Sequence, residues 1–168
     1  LALKASVGIL LLLTIFLGVL DMIREINSEG LEIIKKNETL SLERYKCPSG
    51  VWSIGWGNTS HALEHKKISE EQAEEFLQED LQEVYSYLAY ALRGIPLTSN
   101  QYSALVSLTF NIGIGNFLKS TLLRKLKVQD YEGAEKEFRK WVYSKGKKLG
   151  GLVKRREEER QLFAKKEL

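Results

Sequence analysis

Residues 38–59 read ETLSLERYKCPSGVWSIGWGNT, and the rest of the chain is best understood outward from them. LSLERYK alternates in polarity as a strand does. Cys47 to Gly50 forms a turn with Pro48 and Gly50 in suitable places, and VWSIGWGN returns as a second strand. On the return strand Val51, Ser53, Gly55 and Gly57 share one face, and Trp52, Ile54 and Trp56 share the other. The glycines allow a ligand or another backbone to approach closely on the Ser53 face. An acid, Glu38, a thiol, Cys47, and a hydroxyl, Ser53, are thereby gathered around one hairpin.

Upstream, Ser28 reads as the N-cap of a short helix with Glu32 in its first turns. Leu31, Ile33 and Ile34 are its apolar positions, and it ends near Asn37. Glu38 then sits at a helix C-terminus, where the dipole disfavours added negative charge and raises a carboxyl pKa, as a general acid near neutral pH requires. The plain alternative is a surface glutamate at a helix end.

The segment YKCPSGVWSIGWGNT at 45–59 resembles the lambdoid-type phage lysozymes, the endolysins of glycoside hydrolase family 24. That family carries a Glu, eight residues, an Asp or Cys, five residues, then a Thr; the same spacing here gives Glu38, Cys47 and Ser53. Glu29, in a locally similar setting, lies 18 residues before Cys47 and does not fit. FNIGIGNF at 110–117, STLLRKL at 120–126, the run from Asp130 to Arg160 and the closing LFAKK follow in the family's order, so the likeness covers roughly residues 28–164. The resemblance implies an α+β, mainly α, lysozyme-like fold of two lobes, a small β-hairpin lobe and a helical lobe. It also implies hydrolysis of the β-1,4 bond between N-acetylmuramic acid and N-acetylglucosamine in peptidoglycan, with Glu38, Cys47 and Ser53 catalytic. Three positions depart from the pattern. Ser53 replaces Thr and loses the branch that restricts its rotamer; Asn37 and Thr39 flank the acid in place of Phe and Gly; Asn58 stands where His is common.

At the other end of the chain, residues 5–20, ASVGILLLLTIFLGVL, form an unbroken apolar run with Lys4 before it and Asp21 after it. As a helix the run spans about 24 Å, a little short of a bilayer core. The positive flank precedes it, which predicts a cytoplasmic N-terminus and an exported remainder. No small-x-small cleavage pattern follows, so a retained signal anchor is favoured over a cleaved signal peptide. The expected organisation is a signal-anchor or signal segment at 1–24 and a catalytic domain at 25–168, located at the bacterial inner membrane facing the periplasm or exported to the periplasm or cell wall.

Past the hairpin, HALEH at 61–65 places two histidines four apart, but Ala62 stands where the zinc-protease pattern needs Glu, and the segment reads as a surface loop without metal. Ser69 and Gln72 make a capping box that opens a long acidic helix to about Arg93, with Phe76, Leu77, Leu81, Val84, Leu88 and Leu92 as its apolar stripe. By resemblance this helix joins the two lobes. Thr98 or Ser99 caps a helix that is apolar nearly all round, a central core helix, and Gly113 with Gly115 marks a tight turn after it.

Four further residues are candidates for binding substrate. Asn111 either faces the cleft and binds an acetamido group or anchors a loop. Trp141 precedes the last helix, in which Arg155 and Arg156 either reach saccharide-bound carboxylates, orient an acid, or belong to a solvated basic face.

Charge is unevenly placed: residues 119–168 carry 16 Lys/Arg against 8 Asp/Glu, and the other residues carry 9 against 14. The basic end suits a polyanion or a carboxylate-bearing polymer, while the interleaved Glu157, Glu158 and Glu159 argue against nucleic acid. Cys47 is the single cysteine, which excludes an internal disulfide or a cysteine-rich zinc site within these residues. The expected partners are peptidoglycan and the inner membrane through residues 5–20, with no cofactor and a monomeric state. The competing expectation is a membrane-tethered peptidoglycan-binding protein of the same fold, its turnover weakened through Ser53, Asn37 and Asn58.

Overall fold

The computed structural model describes residues 24–47 and 50–166. The apolar run at 5–20 and the turn residues Pro48 and Ser49 lie outside them. Among the described residues no helix is long and apolar enough to cross a membrane.

The chain opens with helix α1 (Ser28–Asn37). Its N-cap is Asn27 rather than the expected Ser28, with the Asn27 side chain accepting from the Gly30 amide. Either residue type can cap a helix. Asn27 takes the place because its amide nitrogens are already engaged by residues far along the chain: its backbone N–H donates to Ser103 Oγ at 2.9 Å and its Nδ2 to Asn100 Oδ1 at 2.9 Å. Helix α1 ends at Asn37, so Glu38 is its C-cap, as expected.

The hairpin follows as β1 (Ser41–Lys46) and β2 (Trp52–Gly55), antiparallel, with Tyr45 opposite Ser53. Strand β2 stops at Gly55 rather than running to Asn58, because Gly55 and Gly57 take φ of 62° and 90°, a left-handed region that ends extended pairing. Ser53 and Ile54 are both buried, so both faces of the strand are covered at this point.

Helix α2 (Glu70–Ala91) starts at the Ser69 capping box with Gln72, as its sequence predicts. It is the shared wall of two hydrophobic cores. Ala73 and Phe76 pack with Ile54, Ala62 and Ile68 in the small lobe. Leu77, Leu81, Val84 and Leu88 pack with helix α3 (Ser99–Ile112) in the large one. Helix α3, capped by Thr98 with Gln101, is buried from Tyr102 to Thr109 and forms the centre of that core. Gly113 (φ 84°) turns the chain into the short α4 (Ile114–Leu118); Gly115, expected in the turn, is inside α4. Helices α5 (Thr121–Lys127) and α6 (Tyr131–Glu137), a 3₁₀ turn (Phe138–Lys140) and the small hairpin β3 (Tyr143–Ser144) and β4 (Lys147–Lys148) lead to α7 (Gly150–Ala164), which packs against α1 and α3.

Candidate active site

A cleft of about 390 Å³ runs between the lobes, lined by Glu38, Trp56, Gly57, Asp80, Glu83 and Asn111 among others. Glu38 reaches it because α1 ends one residue earlier and the chain leaves in extended geometry, φ −99° and ψ 122°. Its Oε1 accepts from Arg155 Nη1 at 2.6 Å, an ion pair in which Arg155 is 3% and Glu38 26% exposed. Its Oε2 lies on the side of Gly57, 3.9 Å from where a Cβ on that glycine would be. One carboxylate oxygen is anchored from behind, and the other faces the hairpin.

Arg155 is itself held. Its Nε donates to Glu159 Oε1 at 3.1 Å, and Ser107 Oγ donates to the same oxygen at 2.8 Å. The other oxygen of Glu159 accepts from Arg156 Nη1; Arg156 also donates from Nη2 to Asn111 Oδ1 and from Nε to the Trp141 carbonyl at 3.0 Å. Glu159 is therefore the hub that links both arginines to the cleft residues. Burial pushes its carboxyl pKa up and that of Arg156 down, and the attraction between the two charges opposes both shifts. Two carboxylates and two guanidinium groups balance within this network, as buried charges must.

Of the residues singled out by sequence, Glu38, Asn111, Trp141, Arg155 and Arg156 come together here. A solvated basic face is not what Arg155 and Arg156 form, since both are buried and turned toward Glu159. Of the readings open for Arg155, orienting an acid matches its contact with Glu38. Asn111 both lines the cleft and accepts from Arg156. Cys47 and Ser53 belong to the hairpin, Cys47 directly after β1 and Ser53 in β2 opposite Tyr45. Cys47 closes the turn, its N–H donating to the Val51 carbonyl at 2.9 Å and its carbonyl accepting from Gly50 at 2.8 Å. Ser53 is 4% exposed.

Asn58 keeps a supporting role in place of the common His. Its Nδ2 donates to Asp80 Oδ1 and Oδ2 at 3.0 and 3.1 Å, and its Oδ1 accepts from Ser60 Oγ and the His61 amide. This ties the end of the hairpin to α2. Burial raises the Asp80 pKa, the Asn58 hydrogen bond opposes the rise, and Glu79 and Glu83 add to it.

Sequence reasoning missed Glu159, Ser107 and Asp80. Glu159 was visible in principle as the partner four residues after Arg155 and three after Arg156, the spacing at which side chains on one helix meet. Nothing local marks Ser107 or Asp80.

The family model for phage lysozyme matches residues 35–159, about three quarters of the chain. The chain belongs to the phage lysozyme family. The endolysin of Acyrthosiphon pisum secondary endosymbiont phage 1 is 47% identical to this lysozyme over 142 residues, covering 82% of this chain and 97% of its own. The SAR-endolysin of Escherichia phage Mu is 36% identical over 126 residues, covering 75% and 73%. The muramidase domain of SpmX from Asticaccaulis excentricus superposes with a TM-score of 0.78 at 33% identity, covering 85% of this chain and 99% of that one. The lysozyme-like fold, mainly helical with small β-hairpins, is thus shared with solved muramidase structures. With that membership this phage lysozyme is a glycoside hydrolase of bacterial peptidoglycan.

Proposed function

We propose that Glu38 is the general acid of this lysozyme, protonating the leaving oxygen as the β-1,4 bond between N-acetylmuramic acid and N-acetylglucosamine breaks. Glycoside hydrolysis needs a second group that positions the attacking water or stabilises the oxocarbenium-like centre. Cys47 and Ser53 take that part from the hairpin, the thiol by polarising the water and the hydroxyl by holding it. A thiol is mostly uncharged at neutral pH and is a weaker base than a carboxylate, so Cys47 serves better as a hydrogen-bonding group than as a full base. Asn111 and Trp141 contact substrate along the cleft, while Arg155 orients Glu38 and Arg156 fixes Asn111.

The observation that carries this reading is the place of Glu38 in the cleft, with Oε1 oriented by Arg155 at 2.6 Å and Oε2 turned to the hairpin side. It is tested by turbidity loss of cell-wall suspensions. Glu38→Gln abolishes lysis with folding intact, Cys47→Ser lowers it and Cys47→Asp retains it. Full lysis by Glu38→Gln would refute the assignment. Against the weakened, binding-only reading, Asn58 is engaged with Asp80, and Asn37 Nδ2 donates to the Ile33 carbonyl and to Glu158.

The same proposal places residues 25–168 as the catalytic domain. Residues 1–24 are the signal anchor, holding the monomeric enzyme at the periplasmic face of the inner membrane as in the lambdoid-type subgroup. Lys4 before and Asp21 after the apolar run support this, as does the likeness to a SAR-endolysin.

A further inference from the structure

We infer that His61, Glu64 and His65 form a site for a borderline transition-metal dication, Zn²⁺ in the first instance, on the outer face of the small lobe. One ligand atom from each lies within 4.8 Å of the others. The backbone places them so. A single turn closed by the His65 and Glu64 amides donating to the His61 carbonyl, at 3.0 and 3.1 Å, puts residues 61, 64 and 65 on one side.

The His61 ring is fixed before any ion arrives. It stacks on Phe76 with centroids 4.0 Å apart and planes 11° from parallel, and its Nε2 meets Glu79 Oε2 at 2.8 Å. With Nε2 occupied by Glu79, Nδ1 is the ring nitrogen on the side of Glu64, whose Oε2 is 3.8 Å away. A carboxylate on the far nitrogen is the arrangement that orients metal-binding histidines and strengthens them as donors. His65 also lies against Phe76, with its centroid 5.6 Å from that ring and 6.2 Å from the His61 ring. Two imidazoles and one carboxylate suit Zn²⁺ better than Ca²⁺ or Mg²⁺, which prefer oxygen alone.

The site is a clip and has no part in hydrolysis. Ala62, in the place of the zinc-protease glutamate, is buried in the small core and supplies no base. The turn's other contacts give the clip its reach: the His61 amide donates to Asn58 Oδ1 at 2.9 Å, and Asn58 holds the cleft residue Asp80. An ion bound to the turn stabilises the lobe by mass action and stiffens the wall of the cleft through Asn58. Glu64 is 71% exposed, so the ion has a direct path of entry.

The test is calorimetric titration of the metal-stripped full chain, in non-ionic detergent, with ZnCl₂, alongside its melting temperature. One saturable site is expected, with a melting temperature raised by Zn²⁺ and unchanged by Mg²⁺ or Ca²⁺. His65→Asn and the exposed Glu64→Gln are each expected to weaken binding by about tenfold or more, with the metal-free melting temperature retained. Cys47→Ser is expected to bind as the parent does. Absence of saturable binding, full binding in both His65→Asn and Glu64→Gln, or its loss in Cys47→Ser would each overturn the inference.

Discussion

Glu159 carries more of the site than its position in a run of three glutamates reveals. It is fully buried and bonded to Ser107, Arg155 and Arg156, so Glu159→Gln leaves Glu38 as the one carboxylate against two guanidinium groups. Removing one partner from a buried ion cluster costs about 3–5 kcal/mol. Chemical denaturation is expected to show a loss of this order, with lysis reduced as Arg155 loses its hold and Glu38 its orientation; a change within 0.5 kcal/mol, the ordinary surface range, would show that the cluster is not stabilising. At this scale the sequence was informative where chemistry is written in spacing. The spacing of the family it resembles selects Glu38 over Glu29 by the count of residues to Cys47. The 117 positions separating Arg155 from Glu38 carry no local mark, so their ion pair emerges only when α7 packs against α1 and α3.

Helix α1 crosses α3 at Gly30, where a Cβ would come within 2.8 Å of both Ser103 Cβ and Ile26 Cγ1. Gly30→Ala gains helix propensity, but the gain is outweighed by overpacking, which costs about 1–3 kcal/mol. The expected outcome is a lower melting temperature. An increase would mean that α1 shifts freely against α3, and the placement of Glu38 at its end would then be loose. Element types were legible because caps and periodicity are local: Ser69 with Gln72 forms the box its spacing predicts, and of the two caps open for α3, Thr98 takes the place. Boundaries were less so. Asn27 displaces Ser28 as the cap through contacts with residues more than seventy positions away, and β2 is cut short by the positive φ of Gly55.

Across the whole molecule, α7 is fastened on several sides, and one fastening is sensitive to acid. Arg160 bridges Glu157 on its own helix to Glu135 on α6. Its hydrogen bonds lower the Glu157 pKa to about 2 from 4.5, against the opposing effect of burial and with help from Arg139. A carboxyl depressed in the folded state adds stability above its unfolded value and loses it as pH falls through the folded one. Melting temperatures measured from pH 5 to pH 2 are therefore expected to fall less steeply for Glu157→Gln than for the parent; equal slopes would refute this contribution. The two-lobe architecture followed from the family resemblance and not from periodicity; the structure shows the stripe of α2 from Phe76 to Leu88 facing both cores in turn, and the cleft needed both lobes in place. Delivery of the proton by Glu38 is tested most directly by the new chain ends. Purified peptidoglycan is digested, reduced with borohydride and analysed by mass spectrometry. The parent chain is expected to yield reduced N-acetylmuramic acid ends and Glu38→Gln none, at equal melting temperatures; the same ends released at the parent's rate by Glu38→Gln would contradict the account.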